Sequence, residues 1–176
     1  MTVFSGFGVA HALRALFLAS TLFAASNATA TEEGLISLTL ADEAFDLPLS
    51  TGHSDWTSSQ GFVQVSILAR PPDMATWARF QSLRLAFDLL QNRAQFPELS
   101  LLRRTDDAEF ERWYGRRDSG DLKVILTDTF LDGDLLRISG SFDGALGQSR
   151  DFGRTIDMSS PMPVTGLFEV TLLPIR

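Results

Sequence analysis

Apolar and polar positions alternate along most of this chain, with a period of two. Ile36, Leu38 and Leu40 are separated by Ser37 and Thr39, and Phe45, Leu47 and Leu49 by Asp46 and Pro48. Val63, Val65 and Ile67 flank Gln64 and Ser66. Leu122, Val124 and Leu126 continue the pattern around Lys123 and, less cleanly, Ile125. Successive side chains of a strand point to opposite faces, so each run predicts a strand with one buried face. Pro48 has no N–H to give to a ladder, which assigns the second strand to an edge or to a short span. Polar breakers at Ser50–Gly61, Arg117–Asp121 and Asp128–Asp134 separate the runs.

Two segments fit less simply. In Trp77–Gln91, Leu83, Leu85, Phe87 and Leu89 step like a strand, whereas Trp77, Phe80, Leu83, Phe87 and Leu90 step like a helix. The strand reading from Leu83 is preferred, because the strand-like run Phe96–Leu102 follows after "QNRAQ", a hairpin loop. In "DDAEFERWYG" (Asp106–Gly115), Asp106 and Glu109 form a capping-box pair and Phe110, Trp113 and Tyr114 share one helical face. With Gly115 as a stop, this predicts a short helix inserted between strands.

The chain also repeats a phrase. "SGSFDGAL" (Ser139–Leu146) and "TGLFEVTL" (Thr165–Leu172) share a glycine two places before a phenylalanine, and a leucine four places after it. As antiparallel neighbours joined by a loop at Gly147–Pro161, they meet in one favoured register. Gly140 then faces Phe168 and Phe142 faces Gly166, each ring covering the gap left by a glycine. The same register opposes Leu136 to Leu172, Ile138 to Val170, Gly144 to Val164 and Leu146 to Met162, all on one apolar face. Arg137, Ser139, Ser141, Asp143, Thr165, Glu169 and Thr171 take the other face, with Leu167 and Leu173 as exceptions. A slip by one residue would turn the apolar set to solvent, and a slip by two would break the glycine–phenylalanine exchange. The predicted fold is mainly β: an antiparallel β-sandwich, or an open barrel, of about eight strands with one short inserted helix.

The N-terminus changes the length of chain available to that fold. Arg14 is its only charged side chain before Glu32. The apolar run Ala15–Ala25 is shorter than the roughly 20 residues a membrane span needs, and Ala28-Thr29-Ala30 is a small-x-small cleavage pattern. Residues 1–30 therefore read as a secretory signal peptide, and 31–176 as a single mature domain in the periplasm or outside the cell. No later apolar run suits a membrane span. The mature chain carries 14 basic against 22 acidic side chains, a balance that disfavours nucleic acid and anionic membrane as partners.

Candidate chemistry is sparse. The sequence has no cysteine, and His53 is the only histidine after the signal segment. The His and Cys sets that bind zinc cannot be assembled, and no cofactor motif is present. A catalytic triad could use only His53 as its base, beside Ser54 and Asp55. Asp128, Asp132 and Asp134, or Asp118 with Asp121, could ligate calcium, but neither run matches the spaced calcium loop. The sharpest cluster is "FERWYGRR" (Phe110–Arg117), where Arg112, Arg116 and Arg117 stand beside Trp113 and Tyr114. Arginine with aromatics is the composition of binding hot spots, and in an acidic chain it is a local reversal of sign. These five residues are the candidate ligand-binding set, for an anionic ligand such as an envelope glycan or an envelope protein's acidic loop. The functional expectation is an exported, non-catalytic binding or accessory domain. A carboxylate-based glycan hydrolase and a structural subunit of an envelope assembly are the alternatives.

Overall fold

In the computed structural model, residues 31–59, 61–105 and 109–175 are described. Ten strands form one antiparallel sheet: β1 (Glu33–Leu40), β2 (Glu43–Pro48), β3 (Asp55–Ser59), β4 (Phe62–Ala69), β5 (Phe80–Leu90), β6 (Arg93–Arg104), β7 (Phe110–Arg116), β8 (Lys123–Asp132), β9 (Leu135–Ser149) and β10 (Asp157–Leu172). The spatial order is β2-β1-β10-β9-β7-β6-β5-β4-β3, with β8 paired to β9 off that path. The sheet curls on itself until its two ends touch. Leu49, just past β2, bridges Ala69 of β4, and Trp56 of β3 bridges Pro174. The result is a half-barrel, the open-barrel form of the expected fold, with ten strands rather than eight.

The concave side holds the core. Ile36, Leu47, Ile67, Leu83, Leu85, Leu99, Leu101 and Leu136 are fully buried there with Phe80 and Phe142. The proline-bearing β2 lies at an edge of the sheet order, as Pro48 requires. β1 and β2 are joined at Ala41-Asp42 (φ 47° and 70°), and β5 and β6 at Gln91-Asn92 (φ 50° and 58°). Positive φ at both central residues matches the twist of the flanking strands, so the β5–β6 hairpin is tighter than the five-residue loop expected. β5 begins at Phe80, ahead of the expected Leu83.

The register of β9 and β10 is the one the repeated phrase dictates. Gly140 opposes Phe168 and Phe142 opposes Gly166, and the other four expected pairs also align. A Cβ built on Gly140 would lie 2.8 Å from Cζ of Phe168, and one on Gly166 would lie 2.8 Å from Cε1 of Phe142. Each ring thus occupies the space the opposite glycine leaves.

Four segments expected as loops or a helix are wholly or partly strand. The helix expected at Asp106–Gly115 is replaced over its described part by β7, while Asp106–Ala108 lie outside the described residues. Long-range pairing with both β6 and β9 outweighs the helical spacing of Phe110, Trp113 and Tyr114. Among the described residues the one short helix is instead α1 (Met74–Trp77), started by the Asp73 carboxylate, which accepts from the Thr76 N–H at 2.8 Å. The breaker Ser50–Gly61 contains β3, whose single large apolar residue, Trp56, is buried. β8 runs into the breaker Asp128–Asp134 as far as Asp132, leaving the turn at 133–134, and the loop expected at Gly147–Pro161 shrinks to 150–156. Among the described residues no helix is long and apolar enough to cross a membrane.

β9 is where the sheet forks. Its first part pairs with β8 and its last residues pair with β7. Backbones cross closely at this point: the Ala145 N–H donates to the Gly120 carbonyl at 2.8 Å, and Leu122 N–H donates to the Arg116 carbonyl at 3.0 Å. The loop between β7 and β8 therefore presents Arg117 at the edge of the β6–β7 surface.

Candidate functional site

Strand alternation splits the five candidate residues. Along β6 and β7, Leu101 opposes Trp113 and Leu99 opposes Gly115, whereas Leu102, Ser100 and Glu98 oppose Arg112, Tyr114 and Arg116. Leu99 and Leu101 are core residues, so Trp113 turns inward and packs against the core. Its indole N–H donates to the Glu111 carboxylate at 3.3 Å. Arg112, Tyr114 and Arg116 take the outer face, and exposed Arg117 follows the end of the strand. The structure brings four of the five to one side and assigns Trp113 to the other.

The β9–β10 connection folds over that outer face. Arg116 donates through Nη1 to the Gly153 carbonyl at 2.8 Å, and through Nε at 2.7 Å and Nη2 at 2.5 Å to one carboxylate oxygen of Glu98. Its fork is spent on bracing β6, β7 and the connection. The Arg112 guanidinium sits 4.5 Å from the centroid of the Phe152 ring. Gly153 (φ 82°) lies against Tyr114: a Cβ there would come within 2.9 Å of the ring and would force it to shift.

The connection is tied internally through Asp151. Its carboxylate accepts from the Thr155 N–H at 2.8 Å and from the Ser149 hydroxyl at 2.9 Å. The backbone hydrogen bond from Thr155, followed by the hydroxyls of Thr155 and Ser149, holds the Asp151 carboxyl down at about 2. A carboxyl lowered in the fold stabilises it above its ordinary value of 3.8, and that contribution disappears as pH falls towards 2. Thermal melts across this window should therefore show stability declining with acid. Asp151→Ala should flatten part of the decline, and an unchanged pH profile would refute this role.

Two phenylalanines that the sequence reading missed flank the arginines. Phe96 is 79% exposed with φ 49°, and Phe152 is 70% exposed with φ 59°. Phe96 sits at a bulge: from Gln95 to Glu98 β6 takes three steps while β5 takes two, from Asp88 to Ala86. It borders a surface cleft of about 470 Å³ lined also by Pro97, Glu98, Arg116, Arg117 and Asp118. In sequence Phe96 is the first residue of an ordinary strand-like run. Phe152 stood in the polar loop between Arg150 and Arg154, and that placement was its only sequence signal.

The other candidates lie apart. His53 is exposed, with Nδ1 3.3 Å from the Thr51 carbonyl oxygen. The neighbouring Ser54 is buried, its hydroxyl accepting from the Leu68 N–H at 2.9 Å and serving the backbone. Trp56, the one aromatic residue of the expected 50–61 breaker, is buried and donates its indole N–H to the Asp134 carbonyl at 3.3 Å. Among the described residues, no three or more of His, Cys, Asp and Glu come together as a metal-binding group. No protein family, curated protein or solved structure matches this chain.

Proposed function

We propose that this chain is an exported binding domain that takes an acidic glycan on the outer face of β6 and β7. The observation that carries the reading is the pair Phe96 and Phe152. Each holds a bulky residue in left-handed backbone, a strain of about 1–3 kcal/mol, and leaves most of its side chain exposed, Phe152 with the Arg112 guanidinium over its ring. Burial does not repay that strain, and such strain clusters at binding sites. A flat ring offers an apolar face at small entropic cost, and a guanidinium meets a carboxylate through two parallel hydrogen bonds. Among the described residues Arg117 makes no ion pair, so its fork is open to a ligand. The hydrolase alternative needs two carboxyls across a sugar. In this cleft Glu98 is committed to Arg116 and Asp118 is the other acid.

The test uses polygalacturonate as the probe in calorimetric titration. Binding should weaken with added salt, because partly exposed charges are screened beyond about 8–10 Å. Phe96→Ala and Arg117→Ala should each lower affinity roughly tenfold or more, the loss of one hot-spot contact, with the melting temperature unchanged. Arg116→Ala is a poor probe, because it also removes a brace. Affinity indifferent to both Phe96 and Arg117 would overturn the proposal.

Export rests on the N-terminal pattern, which lies outside the described residues. The exported form should have the intact mass of a chain starting at Thr31, and a stable full-length product would contradict it.

A further inference from the structure

We propose that β8 pairs antiparallel with β8 of a second copy, making a two-fold dimer through the edges of the two sheets. Among the described residues β8 is laddered on one side alone, to β9. β6 approaches β8 but forms no ladder with it. A ten-residue strand with a bare edge offers a row of unpaired N–H and C=O groups. It also exposes large apolar side chains: Ile125 is 59%, Phe130 51% and Leu131 52% accessible.

The bulge at Thr127 selects the partner. Up to Leu126, β8 opposes β9 in one register, and from Asp128 onwards it is shifted by one residue. Val124 and Leu126 face the core side opposite Phe142 and Gly140, and Thr129 and Leu131 face it opposite Ile138 and Leu136. Ile125 and Phe130 take the outer side, opposite Ser141 and Arg137. In an antiparallel pair, directly opposed residues share a face. The shift lets the strand oppose its own copy about an axis between Thr127 and Asp128. Ile125 then meets Phe130 of the second copy, Val124 meets Leu131, Leu126 meets Thr129 and Lys123 meets Asp132. Every pair shares a face, and each pair also directs its backbone groups to the same side. Lys123, the only lysine, already holds Asp121 at 3.0 Å. Asp132 of the second copy adds a second carboxylate to it. Sliding the copies by two residues either way sets Ile125 against Asp128 or against Asp132. Apolar and charge matching therefore coincide in one register, and the occupant it fits is this same strand.

The absence of native cysteine makes a clean test. Residues 125 and 130 lie roughly 16 Å apart along one strand, too far for a bridge within a chain, since a disulfide needs Cα atoms within about 7 Å. Under mild oxidation Ile125→Cys/Phe130→Cys should give a covalent dimer. In sedimentation velocity the unmodified protein should run as a dimer at micromolar concentration. Asp132→Lys should make it a monomer, and Lys123→Asp combined with Asp132→Lys should restore the dimer. A monomeric unmodified protein, a dimer indifferent to Asp132→Lys, or a double-cysteine variant that does not cross-link would each overturn the proposal. Circular dichroism confirms that each variant is folded before it is read.

Discussion

Phe142→Ala and Phe168→Ala should each cost about 3–5 kcal/mol of folding stability, the range for truncating a buried aromatic. Both rings are buried, and each also covers a glycine on the neighbouring strand. Removing either leaves a void bounded by a residue that has no side chain with which to fill it. The Phe168 ring also meets Phe87 of β5 with centroids 6.2 Å apart, so its loss reaches across the half-barrel. The neighbouring Leu167 projects from the other face and is largely exposed, so Leu167→Ala should change stability by no more than about 0.5 kcal/mol. Denaturant unfolding measures all three. A cost near zero at Phe142 or Phe168 would contradict the packing.

Gly120→Ala should be the most damaging of the small substitutions. Gly120 has φ 104°, a conformation that costs other residues about 1–3 kcal/mol. A Cβ there would also run into the Ala145 carbonyl oxygen, with the carbonyl carbon at 3.1 Å. That contact is backbone to backbone, at the fork where Ala145 N–H bonds to Gly120, so it cannot be relieved by turning a side chain. Overpacking adds about 1–3 kcal/mol more. Gly61 supplies the control, with φ 91° and nothing within 4 Å of its Cβ position. Gly61→Ala should show the backbone strain alone, and Gly120→Ala clearly more. Equal losses in denaturant unfolding would show that the crowding at the fork is unimportant.

The parts of this fold that were legible in the chain are those where two constraints coincide. The register of β9 and β10 was readable because each glycine must find a ring and each apolar face must stay inward, and one alignment satisfies both. β2 was readable as an edge because Pro48 removes a donor. β3 was not, because Trp56 is a single apolar residue among Asp55, Thr57, Ser58 and Ser59, and one residue defines no period. β8 was cut short in the reading because its acids lie on an open edge, where polarity does not break a strand. β7 was misread because Phe110, Trp113 and Tyr114 carry a helical spacing. As a strand it sends Trp113 inward and Tyr114 outward, under a cover provided by a distant loop.

The candidate site divides in the same way. The cluster of Arg112, Arg116 and Arg117 stood out as a reversal of charge. The pairing of Arg116 with Glu98 and Gly153 could not be read, because those partners are distant in sequence. The strained backbone at Phe96 and Phe152 was also invisible. Positive φ is written into a sequence mainly through glycine, and here it falls on residues whose type argues against it.

The central claim is that the repeated phrase sets the register by exchanging glycine and phenylalanine across β9 and β10. The most direct measurement is the proton chemical shift of the glycine Hα atoms. An aromatic ring stacked over a glycine shields its Hα protons, so those of Gly140 and Gly166 should be displaced upfield. Phe168→Leu should return Gly140 to an ordinary value and leave Gly166 shielded, and Phe142→Leu should do the reverse. Ordinary shifts at both glycines in the unmodified protein, or a response of Gly140 to Phe142 in place of Phe168, would contradict the register.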